Sequence, residues 1–152
     1  MEICIKPAFC VIGKEGSTCE GEGFVARLWE EANGQFDEVA ALAKPDANGT
    51  PVGVWGAMTD FSRSFLPWEA DFSEGLYLAG VECRDDPEAP EGWVKWTIPG
   101  IEYRVAEVAG PDTFRNALSQ LTAEGHTLAG AVHEFTEPST GRAYMYFPVR
   151  RL

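Results

Sequence analysis

The sequence predicts an α+β fold in which two β-α-β-β units lie side by side as one antiparallel sheet, with the helices on one face and a groove between them. Three observations predict it. Residues 53–60 read G-V-W-G-A-M-T-D and residues 130–137 read G-A-V-H-E-F-T-E, which sets Gly53 against Gly130, Thr59 against Thr136 and Asp60 against Glu137. Upstream of each repeat an apolar strand leaves a proline, Pro7 to Gly13 in one case and Pro99 to Val105 in the other. Between opening and repeat, each copy carries an amphipathic helix pattern. The copies span about 1–86 and 92–152 of a single domain.

In the first copy the strand from Pro7 ends near Gly16, and Ser17-Thr18-Cys19-Glu20 has the spacing of a capping box. Phe24, Leu28 and Ala32 share one helical face before Asn33-Gly34 breaks the pattern, and a short second helix is expected from Asp37 to Ala43. Asp46 to Gly49 is a turn. The repeat strand follows, then a long loop, Phe61 to Gly75, carrying Phe65, Trp68 and Phe72. A loop with such apolar cargo is either a binding lid or a plug on the end of the core. Leu76 to Cys83 is the third strand, and Asp85 to Glu91 is the exposed link. Trp93 and Trp96 open the next strand and read as packing. In the second copy Asp112 or Thr113 caps a helix whose stripe is Phe114, Ala117, Leu118 and Leu121, ending near Gly125. An apolar strand, Leu128 to Phe135, and a last strand, Ala143 to Val149, complete the unit.

Composition narrows the function classes. A chain of 152 residues, 45% hydrophobic, buries roughly 68–70% of the surface its unfolded form exposes. Twelve basic against 24 acidic residues give a net charge of −12, which repels phosphate backbones, so direct nucleic-acid binding is not expected. No apolar run is long enough to cross a bilayer and the start lacks a secretory pattern, so a cytoplasmic protein without membrane contact is expected. Cys4, Cys10, Cys19 and Cys83 form no CxxC pair and the two histidines are His126 and His133, a set that suits neither a zinc site nor any other cofactor.

With the elements laid out, the sequence resembles the GyrI-like family, the bacterial effector-binding domains attached to AraC-type and MerR-type multidrug regulators and also found alone. The matching stretches are Ile3 to Ala8, Tyr77 to Glu82, Pro99 to Tyr103 and Tyr144 to Val149, and their order covers nearly the whole chain. The resemblance implies a duplicated β-α-β-β (SHS2-like) fold. It also implies that Glu134, in His133-Glu134-Phe135, takes the place of a family glutamate that faces bound cations. The sequence departs from the family at His133, where an aromatic or apolar residue is usual, and at Thr136, where a tyrosine is usual.

Glu134 also stands out on physical grounds, because an ionised carboxylate in the middle of an apolar strand costs several kcal/mol unless something compensates it. The compensation is an ion pair to Arg104, Arg142 or Arg150, edge exposure, or a ligand cation. Strand alternation and the repeat alignment place Trp55 on the same face, with Ala57 at the position equivalent to Glu134. Tyr77 and Tyr144 occupy matching places on the third strands, Tyr146 follows two residues on, and Trp29 lies one position off the first helix's apolar stripe. With Tyr103 and Trp68, these residues supply as a set the candidate walls for a cationic or amphipathic organic ligand, although any one of them taken singly reads as core before ligand contact.

No helix-turn-helix segment fits in the chain, so the expected role is a sensor or sequestering module without its own DNA-binding part. The resemblance also implies two other functions, because some GyrI-like proteins open strained cyclopropane rings and others bind a protein partner. One is cyclopropanoid-type hydrolysis by Glu134 with Tyr103 or Tyr144 as proton donor. The other is a protein partner bound by the acidic surface.

Overall fold

The computed structural model describes all 152 residues. In chain order the elements are β1 (Glu2–Lys6), β2 (Phe9–Ser17), α1 (Phe24–Gly34), β3 (Val54–Thr59), α2 (Glu69–Phe72), β4 (Leu76–Glu82), β5 (Val94–Ile98), β6 (Ile101–Glu107), α3 (Thr113–Ala123), β7 (His133–Thr136) and β8 (Ala143–Arg151). The eight strands form one curled antiparallel sheet in the order β1-β6-β8-β7-β3-β4-β2-β5. Exchanging β1 with β5, β2 with β6, β3 with β7 and β4 with β8 turns this order into its own reverse.

The two β-α-β-β runs are present as β2-α1-β3-β4 and β6-α3-β7-β8, and each is preceded by a strand that the repeat did not reveal. Those leading strands cross over. β1 pairs with β6, while β5 pairs with β2. Pro7 and Pro99 sit in the short links that make the crossing, where a residue lacking an N–H leaves no ladder donor unpaired.

Both helices cover the same face. Phe24, Leu28 and Ala32 of α1 pack on Cys10, Ile12, Tyr77, Ala79 and Val81. Ala117 and Leu121 of α3 pack on Val132 and Phe147. The inside of the curl holds a separate core of Val11, Trp55, Ala57, Leu76, Leu78, Trp96 and Ile98.

Several local expectations change. The Ser17–Glu20 capping box forms, but it closes a three-residue 3-10 turn, and α1 starts later behind left-handed Gly23. The short helix expected over Asp37 to Ala43 is two 3-10 turns. Asp112 precedes α3 without a capping bond, and the Thr113 hydroxyl accepts from the Ala109 N–H rather than from the helix. The strand expected over Leu128 to Phe135 is regular only in β7, since Ala131 N–H bonds to Phe65 O of the long loop. No helix is long and apolar enough to cross a membrane.

Candidate functional site

Glu134 opposes Gly56 on β3 and Met145 on β8, so it projects from the middle of the sheet onto the helix-covered face. Tyr77 of β4 reaches it from two strands away, and its hydroxyl donates to Glu134 Oε1 at 2.9 Å. Gly56 makes this reach possible. A Cβ built there would lie 2.7 Å from Tyr77 Cζ and 3.0 Å from Glu134 Oε1, with a still closer clash on the tyrosine oxygen. Trp29, leaning over from α1, completes the chain by donating its indole N–H to the Tyr77 hydroxyl at 2.9 Å.

Glu134 has no cation partner in the protein. Arg104 and Arg150 both bind Glu102, at 2.8 and 2.9 Å, and Arg142 lies 3.9 Å from Glu107. Its other oxygen, Oε2, receives no hydrogen bond from any side chain or backbone group. Burial pushes the carboxyl above its ordinary pKa, and the Tyr77 hydrogen bond offsets only part of that rise. Burial also raises Tyr77, and the negative charge of Glu134 adds to the effect. Lys14, a cation on this face, is already engaged elsewhere. Its Nζ lies 4.2 Å from the Trp93 ring centre, 2.8 Å from Gly92 O and 3.6 Å from Glu31.

Two apolar cavities flank the carboxylate, one residue row to either side along the strands. One, of ≈ 210 Å³, is lined by Trp29, Phe36, Val39, Val54, Val81 and Trp93, among others. The other, of ≈ 200 Å³, lies under α3 and the long loop and is lined by Met58, Trp68, Phe72, Phe114, Val132 and Met145, among others. Trp68 is pinned by its indole N–H to Leu76 O at 2.9 Å, and Phe72 packs on Phe114 at 5.2 Å between ring centres. Phe65 points the other way and plugs the inner core against Trp96. The long loop therefore serves both as a wall of the second cavity and as a plug.

The predicted set divides between the two faces. Glu134, Tyr77 and Trp29 meet directly, and Trp68 lines the adjoining cavity. Trp55 does not share the face of Glu134 as expected: it opposes Phe135, and alternation sends both inward. With both helices on one face, equivalent positions of the two units must also share a face, so the alignment that set Ala57 against Glu134 is out by one residue. Tyr103, Tyr144 and Tyr146 also point inward, and Tyr103 is fully buried with a hydroxyl that finds no partner. Trp93, read from sequence as packing, is buried in the core under α1 and also lines the first cavity, as do Phe36 and Val39, which no local pattern singled out. No three histidine, cysteine, aspartate or glutamate side chains converge to hold a metal ion.

This arrangement is a GyrI-like fold: an antiparallel sheet of two interlocked blocks whose helices cover one face. No protein-family model matches the chain, and no curated protein matches it in sequence. Solved structures do. SAV2435 bound to tetraphenylphosphonium superposes with a TM-score of 0.66 at 14% identity, over 98% of this chain and 93% of that one. The C-terminal domain of EcmrR gives 0.67 at 12% identity, over 99% and 97%. A protein from Staphylococcus aureus MU50 described as a putative transcription regulation protein gives 0.62 at 11%, over 98% and 97%. What the chain shares with them at these identities is the fold.

Proposed function

We propose that the protein is a small-molecule-binding module of the GyrI-like effector-domain type, which takes up a cationic aromatic or amphipathic molecule between α1 and α3. The observation that carries this reading is Glu134: a half-buried carboxylate with one oxygen held by Tyr77, the other free, and no protein cation nearby. A ligand cation would repay the desolvation, and aromatic faces would add about 0.5–2 kcal/mol of attraction. Ligand sites of roughly 300–1,000 Å³ are usual, so a drug-sized molecule would extend through both flanking cavities and pass over the carboxylate. The tetraphenylphosphonium bound by SAV2435, a large aromatic cation, supports this chemistry.

The test compares tetraphenylphosphonium with neutral triphenylphosphine oxide on wild type and Glu134→Gln, following tryptophan fluorescence. The reading expects the substitution to weaken the cation alone. Equal binding of both compounds by both proteins overturns Glu134 as the selector.

A hydrolytic reading of the same site has one specific support, the direct Glu134–Tyr77 contact, and Tyr77 replaces Tyr103 and Tyr144 as its proton donor because those two face the inner core. Incubation with a strained cyclopropane electrophile tests it, and the appearance of ring-opened product that Glu134→Gln does not form would favour it.

A further inference from the structure

The inner face of the sheet holds a second site of opposite character. A cavity of ≈ 380 Å³ opens beside the Pro7 link and is lined by Lys6, Lys44, Trp55, Glu82, Phe135 and Tyr146, among others. Its aromatic wall is continuous. Ring centres lie 4.7 Å apart for Trp55–Phe135, 5.0 Å for Trp55–Tyr146 and 5.5 Å for Phe135–Tyr146.

The charges in this cavity do not balance. Glu82 is buried, with a side chain 4% exposed, and both its oxygens are taken. Lys6 Nζ binds Oε2 at 3.1 Å and the Trp55 indole N–H donates to Oε1 at 3.0 Å. Lys44 approaches the same Oε2 only to 3.9 Å, and its side chain is 54% exposed. Two ammonium groups thus face one carboxylate, leaving one positive charge over. A ligand cation finds its place already occupied, because Lys6 Nζ sits 4.3 Å from the Phe9 ring centre and 5.8 Å from that of Trp55.

We infer that this cavity binds a small aromatic carboxylate, its ring against Phe135 and Tyr146 and its carboxylate on Lys44 and Lys6. Lys44 is free to turn toward such an anion because its contact with Glu82 is long and its side chain is solvated. The net charge of −12 opposes anions at long range, but at physiological ionic strength that field is screened beyond about 8 Å. The four inward-facing aromatics of the sequence set thereby separate by role: Trp55 and Tyr146 line this cavity, Tyr144 borders it through Phe135, and Tyr103 lies deeper.

The test is calorimetric titration of 2-naphthoate and of neutral 2-naphthamide into wild type, Lys44→Gln, Lys44→Arg and Glu134→Gln. Wild type should take naphthoate more tightly than the amide. Lys44→Gln should weaken naphthoate roughly tenfold, the size of one hydrogen bond to a charged group, and leave the amide unchanged. Lys44→Arg should restore the wild-type value, and Glu134→Gln should have no effect on naphthoate. Absence of naphthoate binding, no preference over the amide, or equal affinity in Lys44→Gln overturns the assignment.

Discussion

Gly56 and Glu134 face each other across the β3–β7 ladder, and the missing side chain at Gly56 is what lets the Tyr77 hydroxyl reach the carboxylate. Gly56→Ala should push the tyrosine ring aside and cost about 1–3 kcal/mol, as overpacking does. Denaturant midpoints measure the loss. The same variant should bind tetraphenylphosphonium less selectively against triphenylphosphine oxide, because the carboxylate loses the donor that orients it.

Glu134 gives a pH dependence whose sign follows from burial. Its folded pKa lies above the unfolded one, so its contribution to stability is complete below the ordinary carboxylate range and is lost as pH rises through the folded value. Glu134→Gln should therefore be more stable than wild type at about pH 7, and the advantage should vanish toward about pH 4. Urea unfolding at the two pH values checks it. Cation affinity should run the opposite way, weakening as acid protonates the carboxylate.

His133 acts in the reverse sense. It is fully buried, its Nδ1 accepts from the Met58 N–H at 3.0 Å, its Nε2 has no partner, and burial pulls its pKa down to about 3. The unfolded histidine titrates near about 6.5, so the stability it confers is present above that pH and is lost as pH falls from there toward the folded value. Wild type should lose stability over this window more steeply than His133→Gln. A series of denaturation curves across the window measures the difference in slope.

Trp29 both lines the apolar cavity of ≈ 210 Å³ and donates to Tyr77. Trp29→Ala should weaken an aromatic cation by about 0.5–2 kcal/mol, whereas Trp29→Phe should keep most of the affinity, since the ring face supplies the attraction. Affinities of the two variants for tetraphenylphosphonium separate the ring from its N–H.

The α+β class, both long helices and the positions of β3 and β4 were legible because each rests on a local pattern of apolar spacing. The crossed pairing of the leading strands β1 and β5 was not, since each joins a strand of the other block and no local signal encodes that exchange. The one-residue error in the repeat had a larger effect on the site. Gly53 and Gly130 invite the alignment, but strand side chains alternate, so a single slip carried Trp55 to the wrong face of the sheet. Glu134 was legible as an anomaly in an apolar strand. Its dependence on Gly56 was not, because a cross-strand void has no signature within either strand.

The central claim is that the Glu134 carboxylate faces the bound cation. Its most direct test is the pH titration of the ¹³C carboxyl resonance of Glu134, recorded without and with saturating tetraphenylphosphonium. A cation beside the carboxylate stabilises the ionised form, so the midpoint should move to lower pH in the complex. A midpoint that stays in place, or that rises, would contradict the account.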